Sequence, residues 1–386
     1  MFVSRLELHQ FRNYTSAAIE LAAGVTIFQG ANGQGKTNLV EAVEYLSTLG
    51  SHRVASDVPL VQAGTDQAVV RAEVVAGAHD PRRLLLELEI NPGRANRARI
   101  NRSALPRTHD LLGALRTVLF SPEDLSVVKG DPGERRRFLD GLVISRWPRM
   151  LGVRQDYEKV LRQRNALLRS LAGSRLDDNT ELTLDVWNGQ LIQLGAELLT
   201  ARLDTLAGLR EPTARAYAAI APVNDLARAD YRASFDLPGT PEELPAAFAA
   251  ALQARRREEI ARGLSLVGPH RDDLQLFVGD LPARGYASHG ESWSLALALR
   301  LGAFELLRGD GIEAVLILDD VFAELDAQRR ERLARAAGQA EQVMVTAAVA
   351  ADVPPQLAGT RFDVAAGVLT GPSAGAVSPD TSRVAR

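Results

Sequence analysis

Residues Gly30-Ala31-Asn32-Gly33-Gln34-Gly35-Lys36-Thr37 fit the spacing G-x-x-x-x-G-K-[ST], and few eight-residue stretches restrict a fold more. Such a loop requires a strand before it and a helix after it, so that backbone N–H groups and the helix dipole converge on a polyphosphate. Both flanks comply. Val25-Thr26-Ile27-Phe28 reads as a short buried strand, and Thr37 to Leu46 carries apolar residues at helical spacing. Lys36 is one of three lysines among 45 Lys and Arg residues. A lysine in so arginine-rich a chain points to a need for a compact point charge rather than a planar fork. The competing reading is a Gly-rich turn without a ligand, but the full pattern arises by chance in roughly one of several hundred such chains.

A second element completes the chemistry. Ala314-Val315-Leu316-Ile317-Leu318-Asp319-Asp320 is a buried-strand run ending in two carboxylates. Alone it would be an ordinary strand-end turn. Beside a P-loop, a carboxylate at the C-terminal end of a parallel strand is where a phosphate-bound Mg²⁺ is held. Asp319 is therefore expected to hold Mg²⁺, directly or through water, together with the Thr37 hydroxyl. Asp320, one residue on, points to the other face and is expected to orient or deprotonate an attacking water, with Lys36 as the other catalytic group. The ligands expected from these residues are a nucleotide polyphosphate and Mg²⁺.

Composition limits what surrounds this site. A chain of 386 residues holds two domains or one large domain with an insertion. Hydrophobic content of 46% and charged content of 24% are ordinary for a globular protein. Without cysteine there are no disulfides and no Cys-based zinc sites, in agreement with a reducing cytoplasm, the expected location. The start, Met1-Phe2-Val3-Ser4-Arg5-Leu6-Glu7, lacks the pattern of a signal peptide, and no apolar run is long enough to span a membrane. The net charge of −3 gives no global attraction to nucleic acid, so a polyanion site must be a local patch.

Along the chain, residues 1–122 read as mostly strand around the P-loop helix, with Leu84–Ile90 closed by the turn Asn91-Pro92-Gly93. Residues 123–262 read as a helical insertion: Leu191, Leu194, Leu198, Leu206 and Leu209 recur at helical spacing, and Pro241-Glu242-Glu243-Leu244 is a helix start. Breaks at Gly173–Asp178 and Asn224-Asp225, and the lack of a sustained heptad, argue against a long coiled coil. Alternation of strand and helix returns over 263–370: a strand at 274–278, a helix near 291–308, then strands at 314–318 and 342–346. Residues 371–386 read as a disordered tail. No internal repeat is present.

Tyr286-Ala287-Ser288-His289-Gly290-Glu291-Ser292-Trp293 reads as a helix start, with Ser288 as N-cap and Glu291 where a capping box places it. Between a P-loop and a strand-Asp-Asp, the same residues resemble the ABC-type signature Leu-Ser-Gly-Gly-Gln, with Ser288 and Gly290 at its second and fourth places. Ala323-Glu324-Leu325-Asp326 resembles a D-loop. Adding Phe11-Arg12-Asn13-Tyr14, Asn32 to Asn38, Phe120 to Leu125, Lys129 to Asp140 and Gly268-Pro269-His270-Arg271-Asp272-Asp273, the sequence resembles the RecF family of DNA-repair ATPases, relatives of SMC heads, over nearly its whole length.

The resemblance implies an α/β ABC-type P-loop ATPase head with a mixed sheet and a mainly helical inserted domain. It implies nucleotide contacts from Arg12, from Gly30, Ala31, Asn32, Gly33, Gln34, Gly35, Lys36, Thr37 and Asn38, and in trans from Ser288 and Gly290. It further implies an ATP-dependent homodimer, binding to double-stranded DNA and gap junctions, and work with RecR and RecO to help load RecA. Two departures limit the carry-over. His289 and Glu291 replace the glutamine-rich form of the signature, and Thr346 stands where many ABC ATPases have a switch histidine, so no histidine is assigned to γ-phosphate sensing. His270 is expected to be structural.

The densest basic clusters are Arg135-Arg136-Arg137, Arg255-Arg256-Arg257, and Arg329-Arg330 with Arg332. The first two are the candidate DNA contacts, the alternative being solvated helix faces. Binding is expected to select DNA structure rather than sequence. Two other functions compete: a transporter ATPase subunit, disfavoured because 252 positions separate Lys36 from Ser288, and an ATP-dependent clamp with negligible turnover, kept open by the short carboxylate of Asp320.

Overall fold

Strand Phe2–Phe11 alternates buried and exposed residues, the pattern of a strand with one face on a core and one in water. The computed structural model describes residues 1–171, 178–221, 226–372 and 374–375. In it, Phe2–Phe11 lies inside a seven-stranded antiparallel sheet ordered Ala374–Gly375, Tyr14–Glu20, Phe2–Phe11, Ala68–Gly77, Asp80–Ile90, Arg97–Ile100, Ser103–Ala104. Its polar face carries ion pairs: Arg5 meets Glu7 on its own strand and Glu20 on the neighbouring one at 2.8 Å each, and Arg99 reaches Glu89 across strands at 2.8 Å. Each such exposed pair contributes little, about 0–1 kcal/mol.

The second sheet is built from runs that are apolar throughout, because both of its faces are covered. Val315–Asp319 and Gln342–Ala347 are buried at every position. The order is Val368–Thr370, Thr360–Ala365, Gly24–Gln29, Gln342–Ala347, Val315–Asp319, Thr117–Phe120. All neighbours are parallel except the terminal hairpin. Helix Lys36–Thr48 packs against strands of both sheets, burying Leu39, Val40, Val43 and Leu46 in one shared core. The mixed sheet and P-loop head agree with the expected fold class, and the strands and helices that were expected individually appear within a few residues of their expected positions.

Two compact units emerge: Met1–Leu125, Arg215–Val223 and Ala296–Arg386 form one, Ser126–Ala214 and Asn224–Leu295 the other. The second is mainly helical, with Pro132–Arg146, Met150–Leu171, most of the 43-residue helix Asp178–Ile220, and Leu244–Arg262. It also holds a small antiparallel sheet that was not anticipated: Ala227–Arg232 pairs with Asp273–Val278, which pairs with Leu281–Pro282. That pairing groups residues 263–295 with the helical unit, whereas the sequence reading placed them with the C-terminal ATPase segment. Most of the expected break at 173–178, that at 224–225, and the tail beyond 375 lie outside the described residues.

The segment Gly268–Asp273 organises the polar interior of the second unit. Arg202 binds Asp140 through two hydrogen bonds of 2.7 and 2.9 Å and donates to the Pro269 carbonyl at 2.7 Å. Asp272 accepts from Tyr231 and from the Ser234 N–H, and Arg271 donates to the Ser265 carbonyl. Tyr157 donates to His270 Nδ1 at 2.7 Å, leaving His270 Nε2–H for the Ser265 carbonyl at 3.2 Å. Burial pushes His270 down to about 4, the backbone hydrogen bond opposing it. A buried neutral imidazole contributes stability that is full above its unfolded value near 6.5 and is lost as pH falls through about 4. Acid unfolding should therefore lose up to about 3 kcal/mol across that window. His270→Gln should flatten this slope in denaturant titrations at stepped pH, and coincident slopes would show that His270 does not take up the proton.

Candidate nucleotide-binding site

Strand register sets the site. Asp319 pairs directly with Thr346, and Thr346 with Phe28, so the acidic end and the start of the P-loop share one row at the C-terminal edge of the parallel sheet. That edge is where open α/β sheets bind ligands. The loop itself is tightly held. Gly30 has φ 152°, and a Cβ there would stand 2.2 Å from the Val364 carbonyl oxygen. Gly35 has φ 117°, and a Cβ would come within 2.9 Å of the side chains of Asn13 and Tyr14. Asn13 donates to the Gln34 carbonyl at 3.0 Å and Tyr14 to that of Gly35 at 3.1 Å. On the other side, the Ala366 N–H donates to the Gln34 side chain at 2.6 Å. Asn38 donates to Asn13 at 2.7 Å.

Lys36 is 3% exposed, and its Nζ lies over the loop, 3.2 Å from the Ala31 carbonyl and 3.4 Å from Asn32 Oδ1. Thr37 Oγ1 donates to Asp319 Oδ1 at 2.9 Å. Two oxygens so close, at the end of a loop with the phosphate-binding spacing, suit adjacent ligands of one Mg²⁺. Thr346 Oγ1 donates to the same Oδ1 at 2.6 Å and accepts from the Asp320 N–H at 2.9 Å. The residue standing in place of a switch histidine thus fastens both aspartates. Asp320 has φ 49° and ψ 19°, the left-handed region that short polar side chains tolerate best. Burial pushes its carboxyl up; Lys36 opposes the shift and Asp319 adds to it.

Two neighbours of the site, His52 and Glu44, escaped the sequence reading. His52 follows the P-loop helix, with Nδ1 2.5 Å from Glu44 Oε2 and Nε2 3.7 Å from Asp319 Oδ2. Burial pulls the imidazole down, but the two flanking carboxylates prevail and raise it to about 10. The signal lay in Glu41 and Glu44, charged residues at buried positions of an apolar helix face. Arg12, expected near the nucleotide, has its guanidinium fork on Glu41 and donates to the Pro59 carbonyl at 2.9 Å, so Phe11–Tyr14 frames the loop.

Ser288 and Glu291 form the expected capping box: the Ser288 N–H donates to Glu291 Oε2 at 2.8 Å, and the Glu291 N–H to Ser288 Oγ at 3.3 Å. These residues and Gly290 open helix His289–Gly309 and belong to the second unit. The arginine triplets are not uniform patches. Arg135 is 4% exposed and forks onto Asp273 at 2.7 and 2.9 Å. Arg136 is half-buried and donates to the Asp272 carbonyl. Arg137 is exposed and pairs with Glu134. Arg255 and Arg257 are exposed, whereas Arg256 pairs with Glu181 and Asp185.

A family model described as RecF/RecN/SMC N terminal domain matches residues 2–353. The Smc head domain derived from Pyrococcus furiosus shares the fold, with a TM-score of 0.54 at 17% identity over 96% of each chain. Fold and site together define an ABC-type ATPase head of the SMC kind. The DNA replication and repair protein RecF of Cutibacterium acnes is 61% identical over 383 residues, covering 95% of this chain and 97% of that protein. RecF of Streptomyces avermitilis is 56% identical over 375 residues, covering 96% and 99%. The solved structure of the recombination mediator protein RecF with ATP, of the RecFOR pathway, aligns with a TM-score of 0.86 at 26% identity over 96% of this chain and 98% of that one. The chain belongs to the RecF family.

Proposed function

We propose that this protein is an ATP-driven DNA-binding ATPase of recombinational gap repair, acting in the cytoplasm. In this reading it closes into a homodimer on ATP at double-stranded DNA and gap junctions, and helps load RecA with RecO and RecR. The observation that carries the reading is the assembly of Lys36, Thr37, Asp319 and Asp320 at one sheet edge of a RecF-family head. Loop N–H groups and the Lys36 ammonium take the β- and γ-phosphates. Thr37 and Asp319 hold Mg²⁺, which when bound neutralises charge developing on the phosphates. Asp320, its basicity raised by burial, accepts the proton of the attacking water. Hydrolysis is slow and DNA-stimulated. Ser288 and the N–H groups at the start of its helix meet the γ-phosphate held by the partner subunit. Exposed Arg137, Arg255 and Arg257 are the members of the two triplets placed to meet DNA phosphates, Arg137 and Arg255 by exchanging their surface partners Glu134 and Glu258 for phosphate.

Sedimentation with and without ATP, on duplex and gapped DNA, tests dimerisation and DNA together. The wild type should shift to a dimer with ATP, and its DNA affinity should rise with ATP and fall steeply with salt. Ser288→Arg should bind ATP yet remain monomeric. Loss of ATP binding by that monomer would instead favour a nucleotide site complete within one subunit.

A further inference from the structure

Asp319 Oδ1 already accepts hydrogen bonds from Thr37 and Thr346, which hold the carboxylate from that side only. Oδ2 faces the imidazole of His52. The ring is 8% exposed and its bearing is set from the other side, where Glu44 Oε2 lies 2.5 Å from Nδ1 and also accepts from the His52 N–H at 3.4 Å. Glu44 stands on the same helix as Lys36 and Thr37, so the ring is anchored to the element that carries the phosphate-facing groups. Nε2 is buried, has no hydrogen-bond partner, and points at Asp319 across 3.7 Å. An uncommitted donor aimed at a carboxylate is placed to orient it.

We propose that His52 is a positioning residue for Asp319: through Nε2 it sets the rotation of the carboxylate that, with Thr37, holds Mg²⁺. This deepens the reading above and rests on Asp319 being the metal partner. Groups that orient a metal-binding side chain typically change metal affinity by about 10- to 100-fold when removed.

The test separates the two ring nitrogens. His52→Gln places an amide N–H near the position of Nε2, His52→Asn near that of Nδ1, and His52→Phe keeps the ring volume with neither. Binding of a fluorescent ATP analogue is titrated against Mg²⁺ and repeated in EDTA, after thermal melts have identified folded variants. In EDTA all folded variants should bind as the wild type does. The Mg²⁺ concentration giving half-maximal binding should rise about tenfold in His52→Phe and His52→Asn, with most of that recovered in His52→Gln. Equal recovery by Asn and Gln would overturn the proposal, since the role would then lie toward Glu44. So would an affinity loss of the same size with and without Mg²⁺. Asp319→Asn run alongside distinguishes the two levels. If it raises the Mg²⁺ requirement while the His52 variants do not, only the role of His52 falls; if it leaves the requirement unchanged, the metal assignment falls and His52 with it.

Discussion

Lys36→Ala should bind ATP at least about 100-fold more weakly than the wild type, with hydrolysis and nucleotide-dependent dimerisation lost as a result. The ammonium is nearly buried and is held over the loop by the Ala31 carbonyl and Asn32. Phosphate oxygens entering the loop would replace these neutral acceptors with charged ones, and each charge-assisted hydrogen bond is worth about 1.5–3 kcal/mol. Alanine removes the charge and leaves the backbone cradle, so residual affinity reports the loop N–H groups together with the Mg²⁺ partners Thr37 and Asp319. Lys36→Arg should retain weak binding and lose hydrolysis, because a planar fork cannot occupy the place of a compact ammonium. Equilibrium binding of a labelled nucleotide decides it: unchanged affinity in Lys36→Ala would end the P-loop assignment.

The second large effect divides the acidic pair. Asp320→Asn should bind Mg-ATP normally, hydrolyse it about 100-fold more slowly or worse, and accumulate as the ATP-bound dimer. Asp319→Asn should instead weaken Mg-ATP binding. Asparagine suits the Asp320 site because it tolerates the left-handed backbone there at least as well as aspartate does. A slowed rate would then reflect the lost proton acceptor rather than a distorted turn. A longer side chain such as glutamate fits that conformation less well, which gives a structural reason for the short carboxylate. Single-turnover hydrolysis with a nucleotide-binding control separates the two aspartates, and wild-type turnover in Asp320→Asn would remove its catalytic role.

What the sequence disclosed followed from how local each signal was. The P-loop, the run Val315–Asp320 and the capping box at Ser288 are contiguous, and each carries its geometry in a few adjacent residues. Family likeness extended this to the head as a whole. The arginine triplets were opaque because successive helical residues point about 100° apart, so a basic run in sequence is not a basic face. Arg135 turns inward to Asp273, a partner 138 positions away that no local pattern announces. His52 was missed for a similar reason, since one of its carboxylates comes from the P-loop helix and the other from a strand near the far end of the chain. Gly268–Asp273, dense in charge like a catalytic motif, proves to bind the helical unit together.

The two sheets of the first unit end in very short strands. The antiparallel sheet terminates at Ala374–Gly375 and Ser103–Ala104, two residues each, and the other at Val368–Thr370 and Thr117–Phe120. Outermost strands this brief themselves present only a few backbone donors and acceptors to another chain, whereas long edge strands invite indiscriminate strand addition. Under the ATP-driven dimerisation proposed above, this steers self-association away from backbone zippering, which is hard to reverse, and leaves it to side-chain surfaces that a small molecule can bring together and release.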